Sequence, residues 1–494
     1  MAAGAPVYDV IVIGGGPAGS TLAWALARRD VRVLVLERTR FPREKVCGDY
    51  VDPRGLRILE EMGCLAELEE RGPLPITHSA MFVEGRRCYA GEILSYGVED
   101  HLPPHAYVIP RDELDTAMLA AAERQGVTVH QETLVTGVEA RKSGVRVEAR
   151  RNGEVVRYRS RLVAGADGAN SVVGTSSGQL GDDPRHTAVA QRAYATGFEA
   201  NGGEVVCFFD EALFPGYGWV FPMADGRVNL GVGILAETRQ RLDLNVPGLF
   251  ADFVARLREH HPRCGSLELC SSPIGGVVRT YGGAGANRFD GGVLVGDAGS
   301  FVDPMTGEGI TQGAESALLA APVLVNAIES GRCDAEQLAA YEDAFRAYFD
   351  PAMTFLDLCA ALLRNRWLAR PWLNAFARGC ELARGDAEFA RISSSYFGGL
   401  DIRPFGIVSS VWARLVEELL LSWPRALGLR PREDGSHPTS VTDLAEWQAA
   451  WSRSFLADPL WHTSWSWDVQ RKALRVLSSR PEPDPRATGL PATP

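Results

Sequence analysis

The chain has 494 residues, 46% of them hydrophobic and 23% charged, which excludes a disordered, fibrous or collagen-like protein and leaves room for two or three globular units. The net charge of −11, with no basic block, argues against nucleic acid or an anionic membrane surface as partner. Ala314–Ala327 and Ile407–Leu421 are apolar but fall short of the roughly 18 clean residues of a membrane span, so at most a peripheral association is expected.

The nine cysteines form no C-x-x-C pair, and Met1–Pro6 lacks both a charged and an apolar leader region. Reduced thiols, a cytoplasmic location and no structural metal site are the expectations. Only Lys45, Lys142 and Lys472 are lysines; the other 48 basic residues are arginines.

Tyr8–Ile13 is a continuous apolar run and reads as a buried parallel strand, Pro17–Arg29 as a helix and Arg32–Glu37 as a second strand: a βαβ unit. Pro53–Met62 and Arg111–Gln125 carry helical spacing, and Val127–Gln131 reads as a strand. Val135–Arg150 and Glu154–Arg161 alternate around Asn152-Gly153, a hairpin signal, and Leu162–Ala166 reads as a separate short strand. From Thr187 to Gly233 several strands are broken by Gly and Pro. Val293–Val295 is another buried strand, Gly309–Ala327 a helix, and helical patterns dominate from Asp334 onward. Nine of the eleven tryptophans lie beyond residue 360.

Gly14-Gly15-Gly16-Pro17-Ala18-Gly19 fits G-x-G-x-x-G between a strand and a helix, with Glu37 ending the next strand. Gly14 permits the turn, Gly16 lets backbone N–H groups approach a pyrophosphate at the helix N-terminus, and Gly19 lets helix and strand pack. Glu37 is placed to accept hydrogen bonds from a ribose. A second motif runs Gly296-Asp297-Ala298-Gly299 and then Asp303-Pro304-Met305-Thr306-Gly307-Glu308-Gly309-Ile310. Asp297 suits the hydroxyls of a flexible polyol, and the Gly307–Gly309 turn opens a helix towards a ring that becomes negative on reduction. Gly165-Ala166-Asp167-Gly168-Ala169-Asn170-Ser171 is a third strand-to-turn motif. Together the three indicate FAD rather than NAD.

These residues resemble the flavoprotein superfamily of geranylgeranyl reductases, aromatic-ring hydroxylases and flavin halogenases, over roughly residues 7–330. The geranylgeranyl reductase branch is the nearest likeness. Phe41-Pro42-Arg43-Glu44-Lys45-Val46-Cys47-Gly48-Asp49 resembles its flavin loop, and Gly216-Tyr217-Gly218-Trp219-Val220-Phe221-Pro222 its substrate-sheet motif. The resemblance implies an α/β fold, α+β overall: a Rossmann-like FAD-binding domain of glutathione-reductase type, an inserted β-sheet substrate domain and a C-terminal helical region. The FAD domain is expected over 1–75, 105–185 and 285–335, the substrate sheet over 76–104 and 186–284, the Trp-rich helical region over 336–480 and a disordered tail over 481–494. The implied cofactor residues are Gly14, Gly16, Pro17, Ala18, Gly19, Glu37, Arg38, Cys47, Gly48, Arg111, Asp167, Gly296, Asp297, Pro304, Gly307, Gly309 and Ile310.

The chain departs from two branches. Ser300 follows Gly299 where aromatic hydroxylases commonly carry His. The only Trp-x-Trp, Trp465–Trp467, lies far from where halogenases have theirs, and of the lysines only Lys45 sits in the flavin loop.

Cys47, Tyr217 and Trp219 are the candidate catalytic residues. Cys47 is either a proton donor beside the flavin or a small packing residue, and the two aromatics either line an apolar cavity or fill a sheet core. Glu308 either tunes protonation near the flavin or, the plainer reading, is an exposed helix-start carboxylate, and the C-terminal tryptophans are packing or a cavity roof. The leading function is FAD-dependent reduction of a C=C bond in a large apolar isoprenoid or polyketide-type substrate. A flavin monooxygenase and an FAD-containing non-redox cyclase are the alternatives. No second dinucleotide fingerprint is visible, so NAD(P)H is expected only as a transient electron donor, with a ferredoxin or separate reductase as the other source.

Overall fold

The computed structural model describes residues 8–93, 102–387, 390, 413 and 441–478. Two large sheets organise them. In the first, the parallel strands run in the order Gly292–Leu294, Glu154–Gly165, Tyr8–Ile13, Val33–Leu36 and Thr128–His130, with Ile13 in register with both Leu36 and Gly165. Their near-unbroken apolar sequences follow from burial on both faces. The helix Pro17–Ala27 follows the first strand and packs on the helix Ile310–Ser330.

The Asn152-Gly153 turn forms with both residues at positive φ, as the hairpin signal predicts. The segment Val135–Arg150 is not one strand, however. It divides at Lys142-Ser143 into Thr133–Arg141 and Gly144–Arg151, so the excursion is a three-stranded meander. Leu162–Ala166 is likewise not separate. Glu154–Gly165 is one strand that changes partner at Ser160, antiparallel to the meander before it and parallel to Tyr8–Ile13 after it. Alternation gives way to a continuous apolar run at that point because the strand passes from a half-exposed ribbon into the buried sheet.

The second sheet places Thr187–Thr196, Val228–Leu235, Tyr217–Pro222, Glu204–Phe209, His78–Val83 and Arg86–Glu92 side by side, with Ile274–Arg279 also on Thr187–Thr196. All pairs are antiparallel except Glu204–Phe209 with His78–Val83. The helix Val246–His260 covers one face through Phe250, Phe253, Val254 and Leu257. The helices Ala339–Leu363, Ala369–Gly385, Val441–Ala457 and Pro459–Ser478 follow. Ile407–Leu421, apart from Ala413, and the tail 481–494 lie outside the described residues. Among the described residues no helix is long and apolar enough to cross a membrane.

Small residues bring the three motifs together. A Cβ on Gly19 would lie 1.9 Å from the Gly14 carbonyl oxygen, and one on Gly14, at φ +100°, would lie 2.4 Å from that of Ala166. A Cβ on Gly296 would meet Ala18 Cβ at 2.8 Å, and one on Gly313 would meet it at 3.4 Å. The first turn of the Pro17–Ala27 helix is therefore wedged among the ends of both other motifs, contacts that no side chain larger than these would permit. Gly19→Ala is expected to cost about 3 kcal/mol, since its new methyl meets backbone rather than a movable side chain; chemical denaturation of the purified variant measures this.

Candidate active site

Between the two sheets lies a cavity of about 330 Å³. Its floor is the first-motif residues Gly16, Pro17 and Ala18 together with Gly296, Asp297 and the turn Asp303–Gly309. One wall is the second sheet, with Val189, Val205, Tyr217, Trp219 and Ile234; the helical region closes it with Ala360, Leu363, Trp372, Leu373 and Phe376. Cys47, Gly48, Arg111 and Ile310 also face it.

At one end the chemistry is that of an anion cradle. Gly16 opens onto two guanidinium groups, Arg43 Nη2 at 3.5 Å and Arg111 Nη2 at 3.9 Å from where its Cβ would stand. Both arginines are held by Asp115, Arg111 through two 2.8 Å hydrogen bonds and Arg43 through a 2.9 Å ion pair. Two cations and a helix N-terminus around an open glycine fit a pyrophosphate. Glu37 is buried, accepting from the Gly15 N–H at 2.8 Å and from the Thr39 N–H and hydroxyl at 2.9 and 2.7 Å, so it braces the glycine loop. Asp297 faces Lys45 at 3.7 Å.

Of the expected cofactor residues, Gly14, Gly19, Glu37, Arg38 and Asp167 do not line the cavity. Arg38 is exposed beyond the strand end and does not line the cavity. Asp167 accepts from the Ser171 hydroxyl and the Val172 N–H, which commits its carboxylate to starting the short helix Val172–Ser176. Gly14 and Gly19 act through backbone approach, beneath the cavity. Arg43 was missed: in the sequence it is one arginine among many, and only its convergence with Arg111 on Gly16 marks it.

The flavin-loop segment Glu44–Asp49 is fastened to the second sheet by buried polar groups. Asp49, at φ +62°, turns its carboxylate inward to accept from the Tyr194 hydroxyl at 2.6 Å and Asn229 Nδ2 at 2.8 Å. Asn229 also donates to the Cys47 carbonyl at 2.8 Å and accepts from Trp219 Nε1 at 2.9 Å. Arg192 donates to the Lys45 carbonyl at 3.3 Å and pairs with Glu44 at 2.8 Å. Burial pushes the Asp49 carboxyl up to about 6, against the opposing pull of Tyr194, Arg192 and Asn229. Neither Asn229 nor Tyr194 carries a recognisable sequence signal.

Trp219 and Tyr217 both line the cavity. The Trp219 indole N–H is bonded to Asn229, and the Tyr217 hydroxyl donates to the Thr306 carbonyl, tying the sheet to the Asp303–Gly309 turn. Cys47 is half-buried, and burial raises its thiol despite the neighbouring Arg111 guanidinium, so it stays a neutral S–H. Glu308 is not exposed at the helix start. It is half-buried on the cavity wall, where burial and the carboxylates of Asp52 and Asp303 raise it to about 8.

Among the described residues, the tryptophans from Trp451 to Trp467 do not line the cavity. Trp461 and Trp465 stack at 6.1 Å and donate to Glu237 and the Ala361 carbonyl, while Trp451 and Trp467 are largely exposed. The side chain of Trp447 lies outside the described residues. The one tryptophan of this region that closes the cavity among the described residues is Trp372.

Comparison with known proteins bears on the same residues. The FAD binding domain family matches residues 7–355. The chain belongs to this family. It is 32% identical over 330 residues to a menaquinone reductase of Mycolicibacterium smegmatis, covering 64% of this chain and 76% of the other. It is 31% identical to digeranylgeranylglycerophospholipid reductase 1 of Methanopyrus kandleri, covering 69% and 87%. In fold it is similar to a geranylgeranyl bacteriochlorophyll reductase-like protein of Thermoplasma acidophilum, with a TM-score of 0.68 at 22% identity over 84% of this chain and 99% of that one. The protein is an FAD-dependent oxidoreductase, and the cradle at Gly16 fits the cofactor's pyrophosphate.

Two variants separate cofactor binding from folding. Gly16→Val is expected to fold, because the new side chain meets only flexible guanidinium groups, yet to purify nearly free of FAD by absorbance. Asn229→Ala leaves the buried Trp219 indole N–H and the Cys47 carbonyl without their partner and Asp49 with the Tyr194 hydroxyl alone, and should cost about 2 kcal/mol in a urea titration.

Proposed function

We propose that this flavoprotein reduces a C=C bond of a large apolar, polyprenyl-type substrate. The observation that carries the reading is the asymmetry of the cavity. Its sheet wall and helical closure are aliphatic and aromatic, while its polar groups gather along the Cys47 loop and the Asp303–Gly309 turn. A long hydrocarbon loses little on entering such a space and gains from leaving water, whereas a polar substrate would leave its groups unpaired. Bound FAD, once reduced, supplies a hydride.

The residues of the chain do the rest. Cys47 and Glu308 both retain protons near neutral pH at the cavity surface, where a C=C reduction needs one proton for each hydride. Tyr217 holds the Asp303–Gly309 turn against the sheet, and Trp219 fixes the height of the aromatic wall above Gly48. Trp372, Leu373 and Phe376 exclude water from the far side. The reductase names of the two sequence relatives support the same class of reaction.

The test is anaerobic. Holoprotein reduced with dithionite is mixed, without oxygen, with a polyprenyl menaquinone or a digeranylgeranyl phospholipid, and the product is weighed by mass spectrometry. A gain of two hydrogen atoms is expected. A product that forms only in air and gains an oxygen atom would establish a monooxygenase instead.

A further inference from the structure

Glu308 stands in an unusual charge environment for a carboxylate on an apolar cavity. Asp52 and Asp303, 2% and 0% exposed, face it, and the cation among them, Arg54, already pairs with Asp52 at 3.4 Å and with Glu315 at 2.9 Å. Among the described residues, Arg54 is thus the guanidinium that faces the carboxyls of Asp52, Asp303, Glu308 and Glu315 together. Asp52 accepts from the Gly55 N–H at 2.6 Å and the Thr311 hydroxyl at 2.8 Å, and Asp303 from the Met305 and Thr306 N–H groups at 2.6 and 3.0 Å. Those donors favour the charged form of both, against the burial that raises the Asp303 carboxyl and leaves its Oδ2 without a donor. Glu308 has one side-chain donor, the Gln312 amide, at 3.5 Å. Among the described residues, Tyr50, Cys207 and Tyr217 also feel its charge, and burial holds the proton on each of them. Of the three carboxyls Asp52, Asp303 and Glu308, the last has the weakest set of donors and the side chain most open to the cavity, and burial with its two acidic neighbours raises it to about 8, so it carries a proton at neutral pH.

Its position gives that proton a use. Glu308 lies between Gly307 and Gly309, immediately ahead of the Ile310–Ser330 helix, on the stretch that lines the cavity. We propose that Glu308 is the acid of the reaction, giving its proton to one carbon of the substrate double bond. The assignment rests on the C=C reduction reading above. The π pair forms the new C–H bond with the Glu308 proton, the O–H bond breaks, and its electrons remain on the carboxylate. The adjacent carbon, left electron-deficient, would take a hydride pair, which bound FAD in its reduced form would supply. The substrate gains two hydrogens and two electrons, the cofactor loses a hydride, and solvent reprotonates Glu308.

Two readouts test this on the holoenzyme. In infrared spectra followed from neutral to alkaline pH, a protonated-carboxyl C=O band should fade with a midpoint near 8 and be missing from Glu308→Gln. The acid form exists below that midpoint, so turnover should fall as pH rises through it. Glu308→Gln should retain FAD but slow anaerobic substrate reduction about 100-fold or more. In deuterated water the native protein should place deuterium on one face of the product, and the variant's residual product should carry it on both.

A Glu308→Gln protein that turns over within about twofold of native with the same stereochemistry would overturn the assignment. So would loss of facial selectivity in Cys47→Ala but not in Glu308→Gln, or a carboxyl band that survives the substitution. An oxygenated product from native protein would instead overturn the C=C reading itself, and the acid role with it, while the infrared band would still report where the proton resides.

Discussion

The closeness of backbone to backbone at Gly19 is the constraint on which the site depends. With the helix start 1.9 Å, by the measure of an added Cβ, from the Gly14 carbonyl oxygen, the turn cannot open without separating strand from helix. That proximity sets Ala18 against Gly296 and Gly313, and so fixes the Asp297 turn and the Ile310–Ser330 helix relative to the open face of Gly16. Cofactor chemistry here begins with the absence of side chains.

The second sheet is positioned by different physics. Its attachment to the flavin loop runs through a few buried polar groups, with Asn229 satisfying Trp219, Asp49 and the Cys47 carbonyl at once. A buried network of this kind is specific because any displacement leaves charged or polar atoms unpaired in a medium that cannot solvate them. Apolar contact alone would hold the sheets together without fixing the height of the wall over the loop. The same low polarity governs Glu308, whose proton stays because neighbouring carboxylates and burial both oppose its charge.

Much of the first sheet was legible in the chain. Tyr8–Ile13 has the expected bounds: Val10–Ile13 is buried and apolar throughout, as a strand covered on both faces requires, with Tyr8 and Asp9 half-buried at its start. The meander was harder: a two-residue turn at Lys142-Ser143 carries none of the Asn-Gly chemistry that marked its neighbour. Asp167 and Arg38 fitted the pattern of cofactor ligands, yet one caps a helix and the other points to solvent. Local spacing does not encode which way a side chain turns once its strand has ended.

What the sequence by itself determined is the FAD-binding class of the chain, since glycines at fixed spacing between strand and helix state a backbone requirement that is local and cannot be met otherwise. What only the tertiary structure decided is the character of the reacting space. In the sequence Glu308 reads either as a group tuning protonation near the flavin or as an exposed helix start, and it is the folding of Asp52 and Asp303 against it that decides; Trp372 closes the cavity where, among the described residues, the tryptophans from Trp451 to Trp467 do not. Both depend on residues far apart in the chain, and burial and Coulomb interaction act through space.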